Sequence, residues 1–184
     1  RIDRRKKNRD ENSLASLKTK TIDVLKKMEE NIPSETIPIQ SEDLHYQVAR
    51  LYGDLDDKKS MRNIMDQLVE RKKGKPSNRV EYANIYFKEL NDTEIALDIL
   101  EEMHTEFLQL EGMVKTRGFG KKSVTKNKWA QWQSSFPDLV SSLVYIYRNN
   151  DRLMDAEYIL SDWVDRNPSD KNAKKILEEI RLAG

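Results

Sequence analysis

The stretch that decides the fold is residues 144–151, which read VYIYRNND. A tyrosine stands there between the last apolar positions of a helical pattern and an Asn-Asn-Asp turn. The same arrangement occurs twice earlier, in residues 49–57, which read ARLYGDLDD, and in residues 83–92, which read ANIYFKELND. In each of the three segments an aspartate follows the tyrosine within six residues. A tyrosine that returns in one local setting indicates a repeated structural unit.

The spacing of these tyrosines indicates what kind of repeat it is. Tyr52 and Tyr86 are 34 residues apart, a period found in arrays of helix-turn-helix units. Tyr86 and Tyr147 are 61 apart, which is one period with a surplus of 27 residues. We therefore expect an all-helical fold of three helical hairpins, with an insertion before the third.

The composition favours a stack of repeats over a compact globule. The chain has 184 residues, of which 37% are hydrophobic and 35% charged, a thin supply of core for one globular domain of this size. In a stack each unit buries its apolar face only on its neighbours, so less apolar surface is needed. Cysteine is absent, which excludes disulfides, thiolate nucleophiles and cysteine-based metal sites.

Charge is distributed unevenly behind a net charge of +1. Residues 1–10 carry six basic and two acidic groups, whereas residues 112–137 carry six basic groups and no acidic one. The rest of the chain is therefore strongly acidic. This pattern indicates an acidic folded body that carries two basic appendages.

No apolar run reaches the ~18 residues that span a bilayer, and no signal-peptide pattern is present. The sequence starts at Arg1 instead of methionine, so we expect a fragment of a longer protein. Its compartment stays open: it is either a cytoplasmic domain or a domain attached to a membrane parent on the extracytoplasmic side.

Composition and periodicity divide the chain into segments. We predict a basic tail or linker over 1–10, and an N-terminal amphipathic helix with a proline-containing connector over 11–40. The repeat domain then covers 41–184, with units at 41–76, 77–111 and 137–168, a capping helix at 169–184 and a basic aromatic insertion at 112–136. In the insertion we expect a mobile loop.

Three start signals place helices within these segments. Ser41 is a predicted N-cap, Asn91 and Glu94 have the spacing of a capping box, and Pro137 is predicted at a first helical position. The expected buried stripes in the first two helices are Leu14, Leu17, Val24, Leu25, Met28 and Ile32, then Leu44, Val48, Leu51 and Leu55.

At these residues the chain resembles the tetratricopeptide repeat family. The family has a tyrosine late in the first helix of each repeat, a small residue nine positions later and a closing proline. Tyr147, Ala156 and Pro168 match all three positions, whereas the first unit has Met61 and a late Pro76, and the second has Ile95 without a proline. The resemblance covers about 41–182. It implies a short solenoid that binds proteins or peptides and needs no cofactor.

A second, narrower resemblance is to the C-terminal repeat tail of bacterial multi-pass membrane proteins related to protein mannosyltransferases. It rests on residues 28–33, MEENIP, on Pro38, and on residues 48–52, VARLY. It implies an accessory domain of a membrane glycosyltransferase, with the membrane portion of the parent chain as a possible partner.

The tetratricopeptide resemblance implies an inner groove lined by the first helix of each pair. Mixed tyrosine, amide and cationic side chains suit the recognition of an extended peptide. The alternative is that these positions are solvated helix faces. The family's groove positions fall on Tyr46, Arg50, Asp54, Asn84, Lys88, Tyr145, Arg148 and Asn149.

The insertion combines basic and aromatic side chains: Lys115, Arg117, Lys121, Lys122, Lys126, Lys128, Trp129 and Trp132. This composition is compatible with nucleic acid or an anionic lipid surface. The favoured interpretation is that Trp129, Trp132 and Phe136 fold back over the junction of units two and three, because tryptophans three apart form one helical face. We therefore expect nucleic-acid binding to be unlikely for this chain.

Catalytic and metal signals are weak. Glu101 and His104 share the spacing of one half of a di-iron motif, but the second half is missing. With two histidines, no cysteine and no positioned nucleophile, we expect a non-catalytic, metal-free binding domain.

Overall fold

The computed structural model describes residues 16–27, 39–70, 74–120 and 124–184. These ranges are helical and contain no strand, only an isolated bridge between Phe119 and Val124. The prediction of an all-helical fold is confirmed. Within the same ranges, no helix combines the length and apolar character that crossing a membrane requires.

Eight helices form the described part of the chain. Their bounds are α1 16–27, α2 Ile39–Asp54, α3 Lys58–Glu70, α4 Pro76–Lys88, α5 Thr93–Arg117, α6 Lys126–Asn149, α7 Leu153–Arg166 and α8 Lys171–Ala183. Helices α1 to α3 belong to one compact unit and α4 to α8 to a second.

In the first unit, α2 and α3 pack as a hairpin. Its buried side chains on α3 are Met61, Ile64, Met65 and Leu68. The predicted stripe on α2 is wrong at two positions, since Leu44 is 42% exposed and Leu51 46%. The buried face is shifted by one position and comprises His45, Val48, Ala49 and Tyr52. Two apolar stripes overlap on this helix, and the one with the small Ala49 side chain, which permits close helix approach, is buried.

Two predictions near the N-terminus also need correction. Leu25 of α1 is buried as expected, but Leu17 and Val24 are exposed, because the packed face of this helix is narrower than the sequence stripe. Helix α2 begins at Ile39, so Ser41 lies inside its first turn and is not its cap. The expected connector lies almost entirely outside the described residues, as do Leu14, Met28, Ile32 and the basic tail.

The second unit contains two helical hairpins and a final helix. Helix α4 packs on α5 and α6 on α7, while α6 also contacts both helices of the preceding hairpin and α8 packs on α7. The fully buried side chains of this unit include Tyr86, Leu100, Met103, Leu143 and Ile146.

One hydrogen bond recurs in the turns between α2 and α3, α4 and α5, and α6 and α7. The backbone carbonyl of the recurring tyrosine accepts from an amide just beyond the helix end, and the tyrosine ring is buried. The three bonds are Asp57 N to Tyr52 O at 2.9 Å, Asp92 N to Tyr86 O at 2.8 Å, and Arg152 N to Tyr147 O at 2.9 Å. This geometry satisfies a terminal helix carbonyl that has no partner inside the helix.

Each of these bonds needs a left-handed residue directly before its donor. Asp56, Asn91 and Asp151 have φ values of 60°, 52° and 56°. Aspartate and asparagine are the residues other than glycine that adopt this conformation most readily. This explains why an aspartate accompanies the tyrosine in the first and third repeats. In the second, Asn91 takes this place and Asp92 caps α5.

Helix boundaries in the second unit differ from the predicted ones in three places. The predicted capping box is wrong by one residue, since Asp92 is the N-cap of α5 and accepts from Ile95 N at 3.2 Å. Pro137 lies inside α6, whose N-cap is Thr125, so its predicted first position is wrong. Residues 112–117 and 126–136 of the insertion are not a loop, because they belong to α5 and α6. The apolar spacing of Trp129, Trp132 and Phe136 continues the helix backward past the proline.

The turn geometry gives a stability prediction at Asp151, which is exposed and has φ of 56°. Asp151→Val should lower the free energy of unfolding by about 1–2 kcal/mol, since a β-branched side chain is strained in this conformation. Asp151→Gly should stay within about 0.5 kcal/mol of wild type, because relief of strain offsets the greater freedom of the unfolded chain. Urea unfolding measures both values.

The matched control is Asp165→Val, at an exposed position inside α7. It should change the unfolding free energy by about 0.5 kcal/mol or less. Equal effects of valine at positions 151 and 165 would contradict a left-handed turn at Asp151.

Candidate functional site: a groove between α6 and α8

A groove of about 660 Å³ lies on the second unit between α6, α7 and α8. Apolar side chains line its walls and polar ones its rim. The apolar side chains are Pro137, Val140, Val144, Leu160, Ala173 and Ile176, together with the ring of Trp163; the polar ones are Ser141, Tyr145, Arg148, Asn149, Asp170 and Asn172. Three of the predicted groove residues, Tyr145, Arg148 and Asn149, are among them.

Tyr145 is the most prominent side chain of this surface, with 50% of its area exposed. Its ring meets Phe87 of α4 edge-on, with the centroids 5.8 Å apart. The ammonium of Lys88 lies 5.8 Å from the Tyr145 ring centroid. The structure therefore brings together Lys88 and Tyr145, which the sequence placed in different repeats.

The other predicted side chains of these helices already make contacts. Asn84 donates from its amide to Ser142 Oγ at 3.1 Å and so joins α4 to α6. Asn149 donates to the Tyr145 carbonyl at 2.7 Å, which leaves its own carbonyl oxygen as an acceptor. Arg148 pairs with Glu179 of α8 at 3.8 Å, a long separation for an ion pair between half-exposed side chains.

Asp170 fixes the far wall of the groove by capping α8. Its carboxylate accepts from Ala173 N at 3.0 Å and from Trp163 Nε1 at 3.0 Å. These two hydrogen bonds, the backbone one first, lower the pKa of Asp170. Because the cap is ionised at neutral pH, it holds the start of α8 and the Trp163 indole in place.

The remaining predicted groove residues, Tyr46, Arg50 and Asp54, lie on α2 of the first unit. Arg50 Nη1 donates to the Tyr46 hydroxyl at 3.5 Å, one helical turn away. These side chains therefore share one face of α2.

Among the described basic side chains of the insertion, one forms an ion pair and three others are exposed to solvent. Lys115 pairs with Glu111 at 3.1 Å, and Arg117, Lys126 and Lys128 are exposed. Lys121 and Lys122 lie outside the described residues. Trp132 is buried, with 5% of its area exposed.

The aromatic side chains around the insertion form one stack inside the second unit. Phe136 stacks on Phe107 with the centroids 3.7 Å apart, and Trp129 stacks on the same Phe107 at 5.4 Å. Trp163 of α7 meets Phe136 at 5.9 Å and His104 meets it at 6.1 Å. Trp129 and Phe136 of α6 therefore pack against α5, and Phe136 also meets α7.

Arg166 closes the open side of this stack, over Phe136 at 5.8 Å. Its guanidinium donates to Glu111 at 2.7 Å and to Asp162 at 2.7 Å. Burial opposes ionisation of Glu111, but the hydrogen bonds from Arg166 and Lys115 outweigh it and lower the pKa of Glu111. A shallow second cavity of about 610 Å³ lies over these residues.

Glu101 and His104, which have the spacing of one half of a di-iron motif, contact different groups. Glu101 accepts from the Tyr147 hydroxyl at 2.8 Å and pairs with Arg152 at 3.3 Å. Burial and then the bond to Glu101 raise the pKa of Tyr147, which stays neutral. Among the described residues, no group of three or more potential ligands is placed to hold a metal ion.

Sequence reasoning missed the contribution of α8 to the groove. Asn172 and Ile176 line it, whereas the pattern of this helix indicated only a solubilising cap. It also missed the buried Arg79, which joins α4 to α5 through Glu106 at 3.0 Å and Glu102 at 3.4 Å. No local signal marks these pairs, because their partners lie more than twenty residues away.

Comparison with known proteins finds no family model, no curated protein and no solved structure that matches this chain.

The aromatic stack gives a prediction about pH. His104 is 9% exposed, and its Nε2 has no hydrogen-bond partner within the described part of the chain. Burial lowers the pKa of His104 below its ordinary 6.5; nearby Asp162 opposes this effect and Arg166 reinforces it. The unfolded chain therefore takes up the proton more readily than the folded one. Above about pH 6.5, His104 should not reduce the free energy of unfolding. Below that pH the free energy of unfolding should fall as the pH drops toward the pKa of His104 in the folded state, by at most about 1.4 kcal/mol per pH unit.

His104→Leu should remove this part of the pH dependence. Urea unfolding of wild type and variant between pH 7.5 and 5 measures it, and the difference between the two profiles cancels the contribution of the carboxylates. If both proteins lose stability in parallel, His104 is not the responsible group.

Proposed function

We propose that this chain is a non-catalytic, tetratricopeptide-like interaction domain whose α6–α8 groove binds an extended peptide segment. The observation that carries the proposal is the groove itself, which contains three of the residues at which the repeat register places ligand contacts. Tyr145, Arg148 and Asn149 occupy successive positions on one face of α6 and border an apolar wall.

The dimensions of the groove fit a short peptide. Its α6 wall runs from Pro137 to Asn149, which is about 18 Å of helix. An extended chain covers that length with about five residues. A volume of about 660 Å³ lies within the range of sites that bury a small ligand.

The chemistry of the groove indicates which peptide it selects. The wall formed by Val144, Leu160 and Ile176 can take an apolar side chain. Arg148, whose ion-pair partner among the described residues is Glu179 at the long distance of 3.8 Å, can exchange that partner for a ligand carboxylate. The amides of Asn149 and Asn172 can bond the backbone of a peptide. The groove therefore favours a segment with one apolar and one acidic side chain.

Selection from a phage-displayed library of random peptides tests this function. Wild type should enrich peptides with this apolar and acidic pattern, and fluorescence polarisation should then give their affinities. Tyr145→Ala and Arg148→Glu should each weaken binding by at least about tenfold, as expected for central interface side chains.

Two matched controls have the same chemistry elsewhere in the second unit. Tyr158→Ala removes a tyrosine on α7 that is 69% exposed, and Arg117→Glu reverses an exposed charge at the end of α5. Both should bind the selected peptides as wild type does. Peptides that bind all four variants equally, or a library from which nothing is enriched, would refute the groove as a peptide site.

A further inference from the structure

The tip of the α5–α6 hairpin has a composition unlike that of the rest of the protein. Helix α5 ends at Arg117 and α6 begins at Lys126, so the two termini and the short connection between them meet at this end. Residues 112–137 contain six basic side chains and no acidic one, in a chain whose remaining folded part is acidic.

Three described cations of the tip are exposed to solvent. Arg117, Lys126 and Lys128 are exposed, and none of them has a carboxylate partner among the described residues. The amino end of α6, capped by Thr125, adds the positive pole of a 24-residue helix at the same place. The local field is therefore positive.

An exposed aromatic side chain stands among these charges. Phe119 is 46% exposed, next to Gly118 with φ of 63°, and the connection is closed by a bond from Gly120 N to Val124 O at 3.3 Å. Val124 is buried beneath it, and Met113 on the last turns of α5 is 43% exposed. The turn thus buries one apolar side chain and presents another outward.

We propose that this tip is a membrane-surface contact, in which Phe119 enters the interface of an anionic bilayer and Arg117, Lys126 and Lys128 meet its headgroups. A lipid surface fits these groups better than a nucleic acid. Stacking successive bases needs several free aromatic faces, and Trp129 and Phe136 are already stacked on Phe107 while Trp132 is buried. A single exposed ring flanked by cations suits the boundary between headgroups and acyl chains.

This surface is separate from the peptide groove. On α6, Lys126 precedes Pro137, where the groove begins, by 11 positions and Arg148 by 22, which is roughly 17 Å and 33 Å along the helix axis. A protein held at the tip can therefore keep its groove open to a peptide.

The test is vesicle flotation of the whole chain with phosphatidylcholine vesicles, with and without phosphatidylglycerol. Each basic side chain near an anionic surface contributes roughly fivefold to affinity. The triple variant Arg117→Glu/Lys126→Glu/Lys128→Glu should therefore lose at least about a hundredfold in affinity for the anionic vesicles. Phe119→Ser should weaken binding severalfold at unchanged charge.

The matched control is Lys171→Glu/Lys174→Glu/Lys175→Glu on α8, which makes the same change in net charge at exposed positions. It should retain most of the binding, and circular dichroism should show all variants folded. The proposal would be overturned if both triple variants lost affinity equally. It would also be overturned if the tip variant bound as wild type does, because the basic residues 1–10 would then be the contact. Binding to single-stranded RNA with no binding to anionic vesicles would overturn it as well.

Discussion

The structure depends on one interaction repeated three times, the closing of a helical hairpin by a buried tyrosine and its own backbone carbonyl. The carbonyls of Tyr52, Tyr86 and Tyr147 each accept a hydrogen bond from the turn, while the rings fill the space between helices. The bond requires a left-handed residue before the donor, and all three rings are buried. The buried ring, the left-handed turn and the packing of the two helices therefore depend on one another. Together they determine which face of the first helix in each hairpin stays exposed.

The open side of α6 becomes the groove because the hairpins are fixed in register. Tyr147 points inward and is held by Glu101, so Tyr145 and Arg148 of the same helix must face outward. The final helix then supplies a second wall through Asn172 and Ile176, and the Asp170 cap fixes where that wall begins. The groove thus results from the packing of the helices, with apolar side chains along its walls and polar ones at its rim.

The long hairpin α5–α6 shows how far local patterns predict structure. The spacing of Trp129, Trp132 and Phe136 correctly indicated rings that pack inward, because helical periodicity is local information. Pro137, in contrast, resembles a helix start and predicts a loop before it, whereas residues 126–136 belong to α6. A proline inside a helix costs about 3 kcal/mol, and the burial of Trp132 and Phe136, together with the stacking of Trp129 and Phe136 on Phe107, offsets it. That compensation comes from tertiary contacts, which the sequence does not display.

Side-chain registers and long-range ion pairs were less predictable than helices. On α2 two apolar stripes overlap by one position, and only packing against α3 selects the one with Ala49. The pairs of Arg79 with Glu106 and of Arg166 with Glu111 join distant segments without any local signal. The groove positions on α6 were identifiable because the tyrosine period gives a register, whereas the contribution of α8 was not, since that helix has no tyrosine marker.

Amide hydrogen exchange at three backbone positions tests the central claim most directly. The N–H groups of Asp57, Asp92 and Arg152 lie in turns, where amides ordinarily exchange fast, yet each donates to a tyrosine carbonyl. The account predicts that all three are protected, with exchange slowed by orders of magnitude as for amides within the helices. Exchange of these amides at the rate of an unstructured peptide would contradict it.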